Sequence, residues 1–523
     1  MYKAACALTA LLLLWGGQAR AVGGETFYVK SKTDCTFNGT GLVNACATSG
    51  GGPGAFRQSI ALVCGAAVGQ VDGGDTVNFT GNWFGLASAE NGTTYMMTFG
   101  CPGSIGLPVV YNFAAARVDC NREVLRGMSV GAMNYFTLNN LTVQHCGTNS
   151  GTGYGISVDG GVSTFDMSAT LEAPIVNDVQ STDGLSVGIR VVGSNVTIHN
   201  PKVTSISDDG IWANGDNTNV TCDDNKGTTC YVKDVGLSLL FTGDCFQFGA
   251  AVLNHTNTVT RAYCDHRLIA QKQCAISNTA GLLRVLDTVC LGAQDFINGN
   301  TIGIYSEGKL EARRNYINGF NYGIDAASLA TAVAGESPII GNIITHFGWY
   351  GITSGSAIPA GVTTTIVNNT VDGTGSDLAN SRCLNLAGTA AAVINATNNF
   401  VGNCNFGFVK AGAATPTLLS NWDFGNNTRY SGFASGSTLG DPQFIKTNPV
   451  IAIEYKLKTT SPMLRAGVFV NPYSDVRGCP FWNPPSIGAY EQCAGELSSS
   501  STTSSAGGTS SSNGTSSAGG VTP

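Results

Sequence analysis

From about residue 135 the chain falls into short runs in which apolar and polar positions alternate, and each run opens on Gly or Cys. The openings are Gly155, Gly188, Gly210, Cys245, Cys274, Gly303, Gly323, Gly351, Cys383 and Gly407. Alternation with period two places successive side chains on opposite faces of a strand. A second marker is Asn at or just ahead of a neighbouring apolar run: Asn139-Asn140, Asn195, Asn342, Asn368-Asn369 and Asn398-Asn399. Strands recurring at intervals of roughly 20–35 residues, with no helical period between them, predict a solenoid of parallel strands. A β-sandwich or a propeller is the alternative. One stretch breaks the pattern. After Gly51-Gly52-Pro53-Gly54, the residues Phe56, Ile60 and Val63 fall on one helical face, which predicts a short helix over residues 55–63.

Composition sharpens this picture. Only 12% of the 523 residues are charged, and 69 are Gly. Such a chain suits tight turns, where Gly and Asn accept left-handed backbone, better than long helices. Lys3, the apolar run Leu8 to Trp15 and the small-x-small site Ala19-Arg20-Ala21 form an export signal. Formal charge is −7, and removing the signal takes away two cations and no acid. A mildly acidic exported chain is not expected to bind nucleic acid. No apolar run is long enough to predict a membrane span. Of 17 cysteines, Cys6 lies in the signal, and the even remainder predicts disulfides. The close spacings Cys222/Cys230, Cys264/Cys274, Cys383/Cys404 and Cys479/Cys493 mark candidate bridges.

The predicted organisation is an export signal (1–21), a cap with the first coils (22–134), the repeats (135–439), an end segment (440–493) and a disordered Ser/Gly/Thr-rich tail (494–523). The end segment carries Asp441-Pro442-Gln443-Phe444, Tyr455-Lys456-Leu457, Ser461-Pro462, Asp475-Val476-Arg477-Gly478 and Ile487-Gly488-Ala489-Tyr490-Glu491. In this order, these words resemble the C-terminal end of bacterial pectate-lyase-like β-helix proteins with a choice-of-anchor Q ending. Residues 54–63 followed by Gly74-Asp75-Thr76-Val77-Asn78-Phe79 resemble the cap of the same group. The resemblance implies an all-β right-handed parallel β-helix with a short N-terminal capping helix. It is nearly silent on chemistry, since the group holds lyases, epimerases and hydrolases.

Candidate chemistry gathers between Ser205 and Asn278. Asp209 and Asp244 each stand one residue before a strand opening, and Lys272 stands two before the next. Coils stacked about 4.8 Å apart would bring them together. Like-charged carboxylates at that distance raise a pKa or hold a cation. Asp208, Asp209 and Asp244 are therefore the expected calcium ligands, with Lys272 or Arg267 as the base of a uronate lyase and Asp209 and Asp244 in the catalytic set. The same aspartates could serve an Asp-based hydrolase. Ser207 to Ile211 and Gly243 to Phe246 faintly resemble polygalacturonase coils, but the second carries one Asp where that family has two, and no Gly-His-Gly coil follows. Turn capping by Asp is the competing reading of each aspartate alone.

His266, Trp212 and Arg313 are candidate substrate contacts. Arg313 belongs with Tyr305, Glu307 and Arg314 to a second polar patch. The expected function is a secreted, monomeric protein that binds an acidic polysaccharide and cleaves it by β-elimination. The alternatives are hydrolysis and a non-catalytic glycan-binding surface or adhesion protein.

Overall fold

The computed structural model describes residues 26–29 and, with gaps in loops, residues 74–493. The predicted export signal, the predicted helix at 55–63 and the predicted disordered tail at 494–523 lie outside the described residues. Every pairing between the named strands is parallel, and each coil contributes one strand to each of three sheets. The first sheet has 13 strands, from Tyr95–Phe99 to Thr428–Ser431. The second and third form a 26-stranded assembly. They are joined where Val109–Asp119 turns the corner and pairs with Phe136–Asn139 of one and Thr142–Cys146 of the other. The chain is a right-handed parallel β-helix, the hand that right-twisted strands favour in parallel crossovers. Among the described residues no helix is long and apolar enough to cross a membrane.

The Gly/Cys openings form one column of the first sheet. Pairings such as Ile189 with Ile211, Ile211 with Phe246, and Ile304 with Ile324 set the preceding residues one above another. Sterics explain the choice of residue. A Cβ on Gly210 would lie 2.3 Å from Val232 Cγ1, and one on Gly323 would lie 2.3 Å from Ile344 Cγ2. The third sheet approaches so closely that a branched aliphatic there leaves room only for Gly opposite. Where the third-sheet residue is Cys264 or Cys290, the column holds Cys245 or Cys274, and the gap closes as a disulfide.

These two bridges correct the expected Cys264/Cys274 pair. Those residues are close in sequence but lie on successive coils, and each finds its partner across its own coil. The bridges Cys222–Cys230, Cys383–Cys404 and Cys479–Cys493 form as expected, and Cys120–Cys146 joins them.

At the corner between the second and third sheets, Asn315, Asn342, Asn369, Asn399 and Asn421 stack with no exposed surface. The Asn342 side-chain amide donates to Ala312 O and to Asn369 Oδ1, each at 2.9 Å, and its backbone N–H also donates to Asn369 Oδ1 at 2.9 Å. The pattern repeats from Asn369 to Asn399 and from Asn399 to Asn421. After Ser437–Leu439 the chain runs back over this corner. Asn368 donates to Ser486 O, and the Tyr455 hydroxyl donates to Asp372 Oδ2 at 2.8 Å.

Candidate active site

The first sheet presents its outer face through two columns. One is the residue before each Gly/Cys opening: Asp244 pairs with Gln273, Ile302 with Tyr322, Tyr322 with Tyr350, and Tyr350 with Arg382. The other is two residues after the opening: Trp212, Gln247, Ile276, Tyr305, Asp325, Thr353 and Asn385. These columns line a cleft of about 370 Å³ whose walls include Asp244, Gln247, Gln273, Tyr305, Tyr322 and Asp325.

At one end of the cleft Asp208, Asp209, Asp244 and Lys272 come together. The Asp244 backbone N–H donates to Asp209 Oδ1 at 3.0 Å, which ties the two coils. Asp209, Asp244 and Lys272 are 5%, 3% and 3% exposed, and Asp208 is half-buried. Asp244 Oδ1 is buried with no hydrogen-bond partner. The Lys272 stem lies against Gly236, where a Cβ would come within 2.6 Å of its Cδ. The left-handed φ of 73° at Gly236 also favours glycine there.

Burial raises the pKa of Asp209, and Asp244 and Asp208 raise it further. Burial, then Asp208, raises Asp244, with Lys272 opposing. Burial pushes Asp208 up to about 7 against the pull of Lys272. Lys272 itself is lowered by burial, and the three aspartates pull it back. A set of three acids and one ammonium in so dry a place cannot be fully ionised, so at least one carboxyl holds a proton near neutrality. The cluster can therefore give and take protons.

Asp325, at the other end of the cleft, is also pushed up to about 7 by burial. The Tyr305 hydroxyl donates to Glu307 Oε1 at 3.1 Å. On the opposite flank Arg190 is held by Asp159 at 2.7 Å, with its guanidinium 5.2 Å from the Tyr154 ring and 5.5 Å from the Trp212 ring. Trp212 thus stands on the same face as the cluster.

Three expected contacts are not brought to this face. Arg267 is exposed and clamped by Asp265 at 2.9 and 2.7 Å. That pair raises its pKa further, so it cannot serve as a base. His266 is fully buried, with Nε2 at 2.8 Å from Gln273 O and 3.2 Å from Cys245 Sγ. Burial lowers its pKa to about 4, and no substrate reaches it. Arg313 lies on the second sheet and pairs with Glu311 at 2.6 Å, while Arg314 pairs with Asp287. The second polar patch is therefore split between two sheets.

The oxygens of Asp208, Asp209 and Asp244 also do not converge as a set within 4.8 Å; among the described residues the groups that do are Cys245, Cys264 and His266, and Asp475, Cys479 and Cys493. Both of those include sulfurs committed to disulfides. The three carboxylates do not make the closed oxygen cage that calcium takes, and the Lys272 ammonium already answers their charge.

Asp325 and Tyr322 are not among the candidates read from the sequence, and Gln247 and Gln273 have no role there beyond their place at the strand starts. The offsets that placed Asp244 one residue before Cys245 also place Tyr322 before Gly323, and Asp325 two residues after it. Carried along every coil, that offset would have found them.

No family model matches this chain, and no curated protein matches it. Among the solved structures that are similar to it are two polysaccharide lyases. One is the crystal structure of pectate lyase Pel9A, 14% identical, covering 81% of this chain and 89% of that chain with a TM-score of 0.40. The other is a mannuronic acid specific polysaccharide family 6 lyase from human gut microbiota, 10% identical, covering 71% and 86% with a TM-score of 0.31. At these identities the likeness is one of fold.

Proposed function

We propose that this chain is a secreted, monomeric protein that lays an acidic polysaccharide along the outer face of its first sheet and cleaves it by β-elimination. The observation that carries the reading is the buried Asp208–Asp209–Asp244–Lys272 cluster at the end of an open cleft. In β-elimination a base takes the proton on the carbon next to the uronate carboxylate. The electron pair forms a C=C bond, and the glycosidic oxygen leaves and takes up a proton.

Lys272 is the proposed base: burial lowers its pKa, and it acts in the state in which its proton has passed to one of the raised aspartates. In this reading the sugar approaches over Asp244, the member of the cluster that lines the cleft. Asp208, whose pKa burial pushes up to about 7, returns a proton to the leaving oxygen. Calcium, in this reading, binds only together with the substrate carboxylate, which adds donors the cluster lacks, and no step runs through it. The six disulfides among the described residues support an oxidising compartment. We keep residues 440–493 as a choice-of-anchor Q-type ending.

One observation favours hydrolysis as a second reading. Asp208 with a pKa of about 7 is also a suitable general acid, with Asp244 as its partner. The test is the ultraviolet absorbance of purified full chain mixed with acidic polysaccharides, with and without calcium. A rise reports the unsaturated product, and Lys272→Ala and Asp244→Ala should each abolish it. New reducing ends without absorbance would replace elimination by hydrolysis. Neither signal on any polymer would leave a glycan-binding surface.

A further inference from the structure

The same face continues past the cleft. Tyr322 lines the cleft, and its ring lies 5.6 Å from that of Trp349, edge to face, and 5.1 Å from that of Tyr350. Beyond these rings a second cavity of about 280 Å³ is lined by Trp349, Tyr350, Asn380 and Arg382. Arg382 opens the strand Arg382–Gly388 and pairs in register with Tyr350. Its guanidinium sits 5.4 Å from the Tyr350 ring centre. Its Nη1 donates to Asn385 Oδ1 at 3.1 Å, and Asn385 Nδ2 donates to Thr353 Oγ1 at 3.1 Å. The arginine is therefore held in place by neutral groups.

Its charge is treated differently from that of Arg190 on the same face, which is paired with Asp159. Among the described residues no carboxylate pairs with Arg382. A guanidinium offers five N–H donors in a planar fork, and among the described residues one of them is used. A fork with spare donors, beside aromatic faces and open to a cavity, matches a sugar ring that carries a carboxylate. Five coil steps lead from Asp244 to Arg382 through Gln273, Ile302, Tyr322 and Tyr350. At about 4.8 Å per coil that is about 24 Å.

We infer that Trp349, Tyr350 and Arg382 form a separate subsite that grips a uronate carboxylate several sugars away from the Asp244 end of the cleft. The inference rests on the reading that this face binds an acidic polysaccharide, and it adds a requirement for chain length.

The test is tryptophan fluorescence of the full chain titrated with oligouronates of about three and about six sugars, lengths chosen from the coil spacing. Trp349→Phe serves to identify the signal. Arg382→Gln should weaken binding of the longer oligomer by about 10- to 100-fold and leave the shorter one unchanged. Arg382→Lys should recover only part of the loss, because it restores charge without the fork. Equal affinity of wild type and Arg382→Gln for the longer oligomer would overturn the subsite. So would an equal loss for both lengths, or sulfated or neutral oligomers binding as tightly as the uronate.

Product absorbance is followed in parallel. Arg382-dependent binding without unsaturated product keeps the subsite and sinks the cleavage reading. Cleavage with binding indifferent to Arg382→Gln sinks the subsite alone.

Discussion

Two columns of short polar side chains climb this β-helix with the same coil-to-coil spacing, one made of amides and the other of acids. The Asn315–Asn421 ladder and the Asp209–Asp244 stack are both buried and both link one coil to the next. In the ladder each side chain donates and accepts, so the amide of Asn342 reaches Ala312 O and Asn369 Oδ1 while its own oxygen takes the N–H groups of Asn315. In the acid stack Asp209 Oδ1 accepts a backbone N–H, Lys272 is the neighbouring cation, and Asp244 Oδ1 is left without a partner. Burial strengthens a network whose members all find partners and penalises one whose members do not. The amide column thus holds the fold together, and the acid column is a place where the fold tolerates strain and proton chemistry.

The sharpest way to break the comparison is to put an acid into the ladder. Asn369→Asp removes the donors to Ile339 O and Asn399 Oδ1 and sets a carboxylate in a fully buried corner. Destabilisation of about 3–5 kcal/mol is expected at neutral pH, read by urea unfolding. A loss below about 1 kcal/mol would show that the amide donors contribute little and would remove the contrast.

The reverse exchange is smaller. Asp244→Asn gives the stack an amide and removes a like charge from beside Asp209. A stability gain of about 1–2 kcal/mol is expected at pH 8, with loss of cleavage. Destabilisation instead would mean that the acid is better satisfied than its unpartnered oxygen implies.

The contrast also explains what could be read from the chain. The Gly/Cys openings were legible because one steric gap, closed by Gly against Val or Ile or by a disulfide, recurs from coil to coil. Asn342, Asn369 and Asn399 stood out for a similar reason, since each fills the same corner. Asp209, Asp244 and Lys272 followed from the column offsets. His266, Arg267 and Arg313 are near the cluster or the first-sheet strands in sequence but do not share their outer face. His266 and Arg267 follow the third-sheet strand Tyr263–Asp265 and Arg313 ends a second-sheet strand, so their side chains never reach the outer face of the first sheet. The Cys264/Cys274 pairing failed in the same way.

The smallest effect is the pH dependence of the Asp244→Asn gain, and it isolates the acid column from every other group. Asp244 has a folded pKa raised above its ordinary value of 3.8, so between the two values the folded chain binds more protons than the unfolded chain. Stability then falls as pH rises through that interval. Other carboxylates act in the opposite sense. Asp166, held low by Asn195 and Ser168, stabilises the fold increasingly as pH climbs through the acid range. Such contributions are common to wild type and variant and cancel in their difference. The gain from Asp244→Asn should therefore be slight near pH 4 and grow toward neutral pH, levelling off above the folded pKa. Removing Asp244 also relieves Asp209, whose pKa Asp244 helps to raise, which adds to the same slope. Paired unfolding curves from pH 4 to pH 8 measure the trend, with a change of about 1 kcal/mol expected across the range. A flat difference would mean that Asp244 is no harder to ionise in the fold than in the unfolded chain. That outcome would remove the contrast between the acid stack and the amide ladder.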